Sequence, residues 1–442
     1  MKTIIIGGVA AGMTAAAKLK RLDPNHTIHV YEKGYDLSYS GCGMPYYLGD
    51  IVTDEDKLVA RYQEDFKKQD IDVFLSHEVI SVDPKQKRVE VLNLETRQKF
   101  YDTYDYLVIG TGTTANRTHV DGSEEANLYV LNQLPDMRAI KPEVVSGRVV
   151  AIIGGGYIGV EVAENLAHQG LEVHIIQRGK QLLNVYDFEV ADKAKNELER
   201  IGVKIHLDEH LRAYQKEEDK TIVITDQAVY QVDFVIESIG VRPNTGFLKN
   251  TGIDMLRNGA ILINDHCETS LPNVYAAGDC ASYYHQIIKD NVFVPLGTHA
   301  NKTGRIVAEN IAGLDSSFPG IVGSNIIKVG DLAFAKTGLG IDESKRLNLD
   351  FDFVDITAKH QTSYYPGATD LYVRLVYEKK TGIIKGAQLV GEKGVADRIN
   401  IMALAVTKNL TAAEFSELDF AYAPPFSPVW DPLLVAANQI KV

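Results

Sequence analysis

The sequence predicts an α/β chain built from two β–α–β units and a C-terminal α+β domain, and three observations carry that expectation. A β-branched run at residues 2–6 feeds a glycine-rich turn and an Ala- and Lys-rich helix, with a second strand at 29–31. The same plan returns over residues 149–176. Beyond about residue 320 the pattern changes to long strands followed by helices. The length agrees: 442 residues exceed one ordinary core, since single cores stop growing near roughly 250–300 residues.

Each element has a local cause. Residues 2–6 are short, apolar and β-branched, as a buried parallel strand requires. Residues 7–12 form the tight turn, and 13–22 carry good helix formers without a breaker. In the repeat, 149–153 is the strand, 154–159 the turn, 160–169 the helix and 173–176 the second strand. Residues 78–109 and 203–240 alternate apolar and polar and read as antiparallel strands, closing on 106–110 and 234–236. Residues 273–277 form a strand halted at Gly278 and Asp279. In the last domain, strands are expected at 333–337, 372–377 and 384–390, and helices at 397–407 and 412–416. The expected units are 1–118 together with 246–318, then 119–245, then 319–442.

Both glycine turns have the chemistry of a nucleotide site. Gly154, Gly156 and Gly159 complete G-x-G-x-x-G between a strand and a helix. Such glycines let backbone amides and a helix N-terminus reach a pyrophosphate. The first turn keeps Gly7 and Gly12 but has Val9 in the middle place. Glu32 ends its second strand, where a carboxylate can grip ribose hydroxyls; a solvated strand-end acid is the plainer alternative. The corresponding end of the repeat reads Gln177-Arg178-Gly179-Lys180. It lacks the acid and offers two cations, which suits a 2′-phosphate and favours NADPH over NADH; surface cations are the alternative. Asp279, taken with the first turn, Lys33, Thr111 and Gly112, completes a coherent FAD site, so both units are Rossmann-like.

Composition narrows the class. With 45% hydrophobic and 24% charged residues the chain reads as globular. A net charge of −13 argues against nucleic acid. Three unevenly spaced cysteines make no disulfide framework, so a cytoplasmic setting is expected. The apolar N-terminus imitates a leader but breaks at Gly7, and no stretch is long enough to span a membrane. No metal site is expected.

Cys42 stands in Ser38-Tyr39-Ser40-Gly41-Cys42-Gly43-Met44-Pro45, and Tyr47 occupies the place where C-x-x-x-x-C would put a second cysteine. A redox thiol without a resolving partner cycles either as a sulfenic acid or as a mixed disulfide with a small thiol. Its expected place at a helix start should lower its pKa. Cys267 and Cys280 read as structural.

With these motifs the chain resembles the single-cysteine FAD-dependent pyridine nucleotide-disulfide oxidoreductases, which include coenzyme A-disulfide reductases, NADH oxidases and NADH peroxidases. The resemblance covers essentially the whole length, and it implies a homodimer. Oxidases and peroxidases usually carry a histidine in the first turn; residues 8–12 have none. Ser363-Tyr364-Tyr365-Pro366-Gly367 and Ala421-Tyr422-Ala423-Pro424-Pro425 resemble the segments that supply two functional tyrosines in coenzyme A-disulfide reductases. The resemblance therefore implies Cys42, Tyr364 and Tyr422 as catalytic, with Tyr422 serving the partner's site and Tyr157 beside the nicotinamide. It implies Thr14, Lys18, Arg21, Ser38 and His299 on the CoA side, with Lys67 or Lys68 weaker candidates. For each tyrosine a packed aromatic is the alternative, and for the cations a solvated face. Gly41 replaces a common asparagine, and Trp430 stands where a lysine can contact CoA. The rhodanese module fused to some relatives is not expected after Val442. Three other activities stay open: an NAD(P)H oxidase or peroxidase using a sulfenic acid, a CoA-persulfide or polysulfide reductase, and a flavin-binding redox sensor.

Overall fold

The computed structural model describes residues 1–441; Val442, the last residue of the third expected unit, lies outside them. Three five-stranded sheets organise the chain. The first is parallel and brings together Lys2–Ile6, Thr27–Tyr31, Asp72–Phe74, Tyr106–Ile109 and Val274–Ala276. Its central strand is isoleucine-rich and buried on both faces, with Ile4 and Ile5 fully buried, as covering helices on a parallel sheet demand. The helices Ala10–Leu22 and Gly297–Ile311 pack together on it.

The second parallel sheet holds Val149–Ile153, Glu172–Gln177, Lys204–Leu207, Phe234–Glu237 and Leu128–Tyr129. Its helix, Tyr157–His168, shares an apolar core with Leu134–Ile140 and with the loop that carries Cys42. Three-stranded antiparallel sheets flank each unit, at 77–103 and 211–232. The expected antiparallel closing strands are a correction: Tyr106–Ile109 and Phe234–Glu237 join the parallel sheets. Alternation cannot tell a strand's partner; only the fold does.

The third sheet is antiparallel: Asn325–Val329, Leu332–Gly338, Ile384–Gly391, Asp370–Glu378 and Phe351–Lys359, in that order. Val395–Thr407 and Pro432–Gln439 cover one face. Buried Arg374 on the fourth strand, Asp370–Glu378, pairs with Asp187 and Glu189 of the second unit, and so fastens the sheet to it. Exposed Tyr364, Tyr422, Phe426, Val429 and Trp430 gather on the loops of this domain. Among the described residues no helix is long and apolar enough to cross a membrane.

Candidate active site

One cleft of 710 Å³ lies where the two glycine turns approach each other. From the first unit it is lined by Gly7, Glu32, Lys33, Cys42, Thr111, Gly112, Gly278 and Asp279, and from the second by Gly156 and Tyr157. Residues 131–133, 237–238, 240–241 and 295–297 are among its other walls.

The turns are built alike. Gly7 and Gly154 both have φ of +106°, and a Cβ there would strike the carbonyl oxygens of Gly110 and Ser238 at 2.2 and 2.4 Å. Only glycine fits. Each following N–H is taken by the strand-end side chain: Gly8 donates to Glu32 Oε2 at 2.7 Å, and Gly155 to Gln177 Oε1 at 3.0 Å. Glu32 Oε1 also accepts the Gly34 N–H at 2.7 Å. Its carboxylate keeps free lone pairs for a ribose. A side chain at Gly156 would meet nothing within 4 Å. The middle place of the turn is therefore sterically open, which accounts for Val9 in the first copy.

Deeper in the cleft, Asp279 Oδ1 and the Tyr157 hydroxyl are buried without a hydrogen-bond partner. Orphaned polar atoms of this kind ask for a ligand. Burial pushes the Asp279 carboxyl up to about 6. A polyhydroxylated chain at Asp279, ribose at Glu32 and a pyrophosphate at the first turn fit FAD. Four residues after Tyr157, Glu161 also lines the cleft. Burial raises its carboxyl to about 7, and the Tyr46 hydroxyl donates to it at 3.5 Å. Sequence reasoning missed Glu161, although the i, i+4 spacing puts it on the Tyr157 face of the helix.

Cys42 faces the cleft and is solvent-exposed on that side, with protein around its other sides. Its place corrects the expected helix start. It sits in a single 3₁₀ turn, Gly41–Gly43, ahead of a five-residue helix, Met44–Leu48. So short a helix has little dipole. Burial first, then the nearby Glu161 and Asp279 carboxylates, push the thiol up rather than down. Cys267 and Cys280 are fully buried, and the Cys280 thiol donates to Ile109 O at 3.3 Å.

Other sequence-picked residues stand away from this cleft. Gly12 and Gly159 lie in the first helical turns, against the carbonyls of Gly7 and Gly154. Arg178 and Lys180 are exposed beyond the second turn. Ser38 donates its N–H to Gly8 O at 3.0 Å, and Thr14 donates to Asn301 Oδ1 at 2.9 Å. Lys18 pairs with Glu309 at 3.3 Å, whereas Arg21 is exposed. His299 is buried against Tyr283, with ring centroids 5.0 Å apart, and burial lowers its pKa. Tyr364 and Tyr422 are 73% and 47% exposed. The Tyr422 phenol is close enough to raise the pKa of Tyr364. Lys67 is exposed, and Lys68 pairs with Asp65.

Comparison with known proteins matches residues 1–300 to the pyridine nucleotide-disulphide oxidoreductases and 325–432 to their dimerisation domain. A coenzyme A disulfide reductase of Staphylococcus aureus is 34% identical over 430 residues, 96% of each chain. An NAD-dependent persulfide reductase from A. fulgidus superposes with TM-score 0.96 at 32% identity, covering 99% of this chain and 82% of that one. A water-forming NADH oxidase from Lactobacillus brevis, bound to NADH, does so with TM-score 0.96 at 26% identity, covering 99% and 98%. Two glycine turns on one cleft with a lone reachable cysteine, and these matches, lead to one assignment. The chain belongs to the pyridine nucleotide-disulphide oxidoreductase family: it is an NAD(P)H-dependent flavin disulfide oxidoreductase with a dimerisation domain.

Proposed function

We propose that the protein reduces coenzyme A disulfide to two CoA thiols with NADPH, through a mixed disulfide between Cys42 and CoA. One observation carries the reading: Cys42 faces the cleft, while both other cysteines are fully buried and out of reach as resolving thiols. The resolving partner must then come from the substrate. The likeness to coenzyme A disulfide reductases over 96% of the chain supports CoA as that partner.

The Cys42 thiolate attacks one sulfur of CoA disulfide; the Cys42–CoA bond forms, the old S–S bond breaks, and one CoA leaves as thiolate and takes a proton. The mixed disulfide then accepts the two electrons and hydrogen of a hydride from NADPH. Its S–S bond breaks, Cys42 returns as thiolate, and the second CoA leaves as thiol. FAD, held by the first turn, Glu32 and Asp279, supplies the two-electron relay between nicotinamide and sulfur. Tyr157 and Glu161 line the nicotinamide side. The units read as FAD-binding (1–118 with 246–318), NAD(P)-binding (119–245) and dimerising (319–442).

Tyr364 and Tyr422 stand together outside the cleft of their own protomer, among exposed aromatics of the dimerisation domain. In the homodimer Tyr422 serves the partner's cleft, and the pair protonates the departing CoA thiolate; a phenol suits that role because it is neutral at pH 7. Exposed Arg21 meets CoA phosphate. Lys18, engaged by Glu309, does so less directly.

An anaerobic assay with CoA disulfide tests the reading: two thiols released per NADPH are expected. NADPH consumption that needs oxygen or peroxide, without thiol release, would sink it. The persulfide reductase likeness favours a second reading, CoA-persulfide reduction; sulfide release from that substrate at a higher kcat/KM would select it. For the coenzyme, Arg178→Ala should raise KM for NADPH roughly ten-fold and leave KM for NADH unchanged, as loss of one charge-assisted bond predicts.

A further inference from the structure

We infer that Arg138 and Lys141 are positioning residues for Cys42, clasping the loop that carries the thiol from the helix Leu134–Ile140 and the turn after it. The inference rests on Cys42 as the redox cysteine, and it adds residues that neither the motifs nor the matches single out. The loop closes on itself. Ala60 N–H donates to Ser38 O and Ser40 N–H to Leu58 O, both at 2.8 Å, and Tyr39 bridges to Val59. Cys42 lies on one arm of this closed loop.

The clasp grips it at three points. The Arg138 fork donates to both oxygens of Asp36, at 2.7 and 2.9 Å, and its Nε donates to Glu55 Oε1 at 2.7 Å. Lys141 Nζ donates to Tyr47 O at 3.1 Å and Leu48 O at 3.3 Å, and pairs with Asp50 at 2.5 Å. Glu55 begins the 3₁₀ turn Glu55–Leu58. Leu58 lies against Gly43 so closely that a Cβ there would come within 2.3 Å of its Cδ2. The grip of Arg138 thus reaches the residue next to Cys42.

The adjoining face of the same helix is apolar. Leu134, Met137 and Ile140 are fully buried, in one core with Met44, Leu48 and Leu58. The i, i+3 spacing sets this stripe beside the cationic one. The apolar face holds the loop down, and the cations fix its register. Arg138 is 44% exposed. An exposed pair of that kind adds little to global stability, but a bidentate fork selects one geometry. Its role is placement of the thiol.

The test uses the holoenzyme and reads Cys42 alkylation by iodoacetamide, resolved by mass, from about pH 7 to 11, a window that spans a raised thiol midpoint, in low and high salt, beside kcat and KM. Arg138→Met should speed alkylation roughly ten-fold and move its pH midpoint. It should lower kcat about ten-fold and leave KM for NADPH unchanged. Arg138→Lys should fall between, since an ammonium lacks the fork. High salt should move the wild type toward the Met variant and leave that variant unchanged. An alkylation profile and kcat equal to wild type in Arg138→Met would overturn the clasp. If that variant does not fold, Glu55→Ala removes one bond on the loop side alone, and an unshifted midpoint there overturns it equally. Alkylation involves no CoA, so a shifted profile without thiol release would sink the CoA reading and leave the clasp standing.

Discussion

Cys42→Ser should lower kcat/KM for disulfide reduction by at least about ten-thousand-fold, the scale on which an enzyme loses its nucleophile. A serine hydroxyl carries no useful anion at neutral pH and cannot form the mixed disulfide. Neither remaining cysteine can substitute, because Cys267 and Cys280 have no exposed surface. Burial also pushes the Cys267 thiol up to about 12. The nucleotide end of the cleft is built from other residues, so NADPH oxidation by ferricyanide should survive in the same variant. That split places the loss at the sulfur. Loss of both activities would instead mean that Cys42 supports the fold of the cleft.

Arg374→Met should be the most destabilising of the substitutions considered, by about 3–5 kcal/mol, which corresponds to roughly 3–5 °C in Tm for a chain of this length. Arg374 is 1% exposed. It donates to both oxygens of Asp355 at 2.8 Å, to Asp187 at 3.1 Å and to Glu189 at 3.0 Å, and stacks over Phe353 at 4.3 Å. Methionine keeps much of the volume but leaves Asp187 as an unpaired buried carboxylate. Only the N–H groups of Ile341 and Asp342 would still hold it, at 3.1 and 3.0 Å. Adding Asp187→Asn should recover part of the loss, because the cost is the stranded charge. Thermal unfolding of the single and double variants measures it; additive losses would contradict the buried-charge account.

The two β–α–β units were legible because their signals are local. A β-branched strand, a glycine turn and a strand-end side chain lie within about thirty residues of one another. The strand Val149–Ile153 is found at its expected bounds. The helices begin earlier than expected, at Ala10 and Tyr157, since the last glycine of each turn is already helical. In the sequence, Gln177 marks only a missing acid. The structure shows that it does the backbone work of Glu32, accepting the Gly155 N–H.

What sequence could not supply was long-range. Arg138 meets Asp36 across 102 residues, and Arg374 meets Asp187 across 187; no periodicity announces such pairs. The direction of the Cys42 shift failed for the same reason. The local signal, Pro45 close behind Gly43, suggests a helix dipole, while burial in the folded chain decides the direction, with the charges of Glu161 and Asp279 from elsewhere in the chain adding to it. The cationic helix face was legible as a pattern, but the partnership of Lys18 with Glu309 needed the packing of two distant helices.

The central claim is that Cys42 forms a mixed disulfide with CoA. Its most direct test is the intact mass of the purified protein under denaturing conditions, with and without dithiothreitol. The account predicts an adduct of CoA's mass that dithiothreitol removes and that is absent from Cys42→Ser. An unmodified or singly oxygenated Cys42, with no CoA adduct even after exposure to CoA disulfide, would contradict it and assign the cleft to sulfenic-acid chemistry.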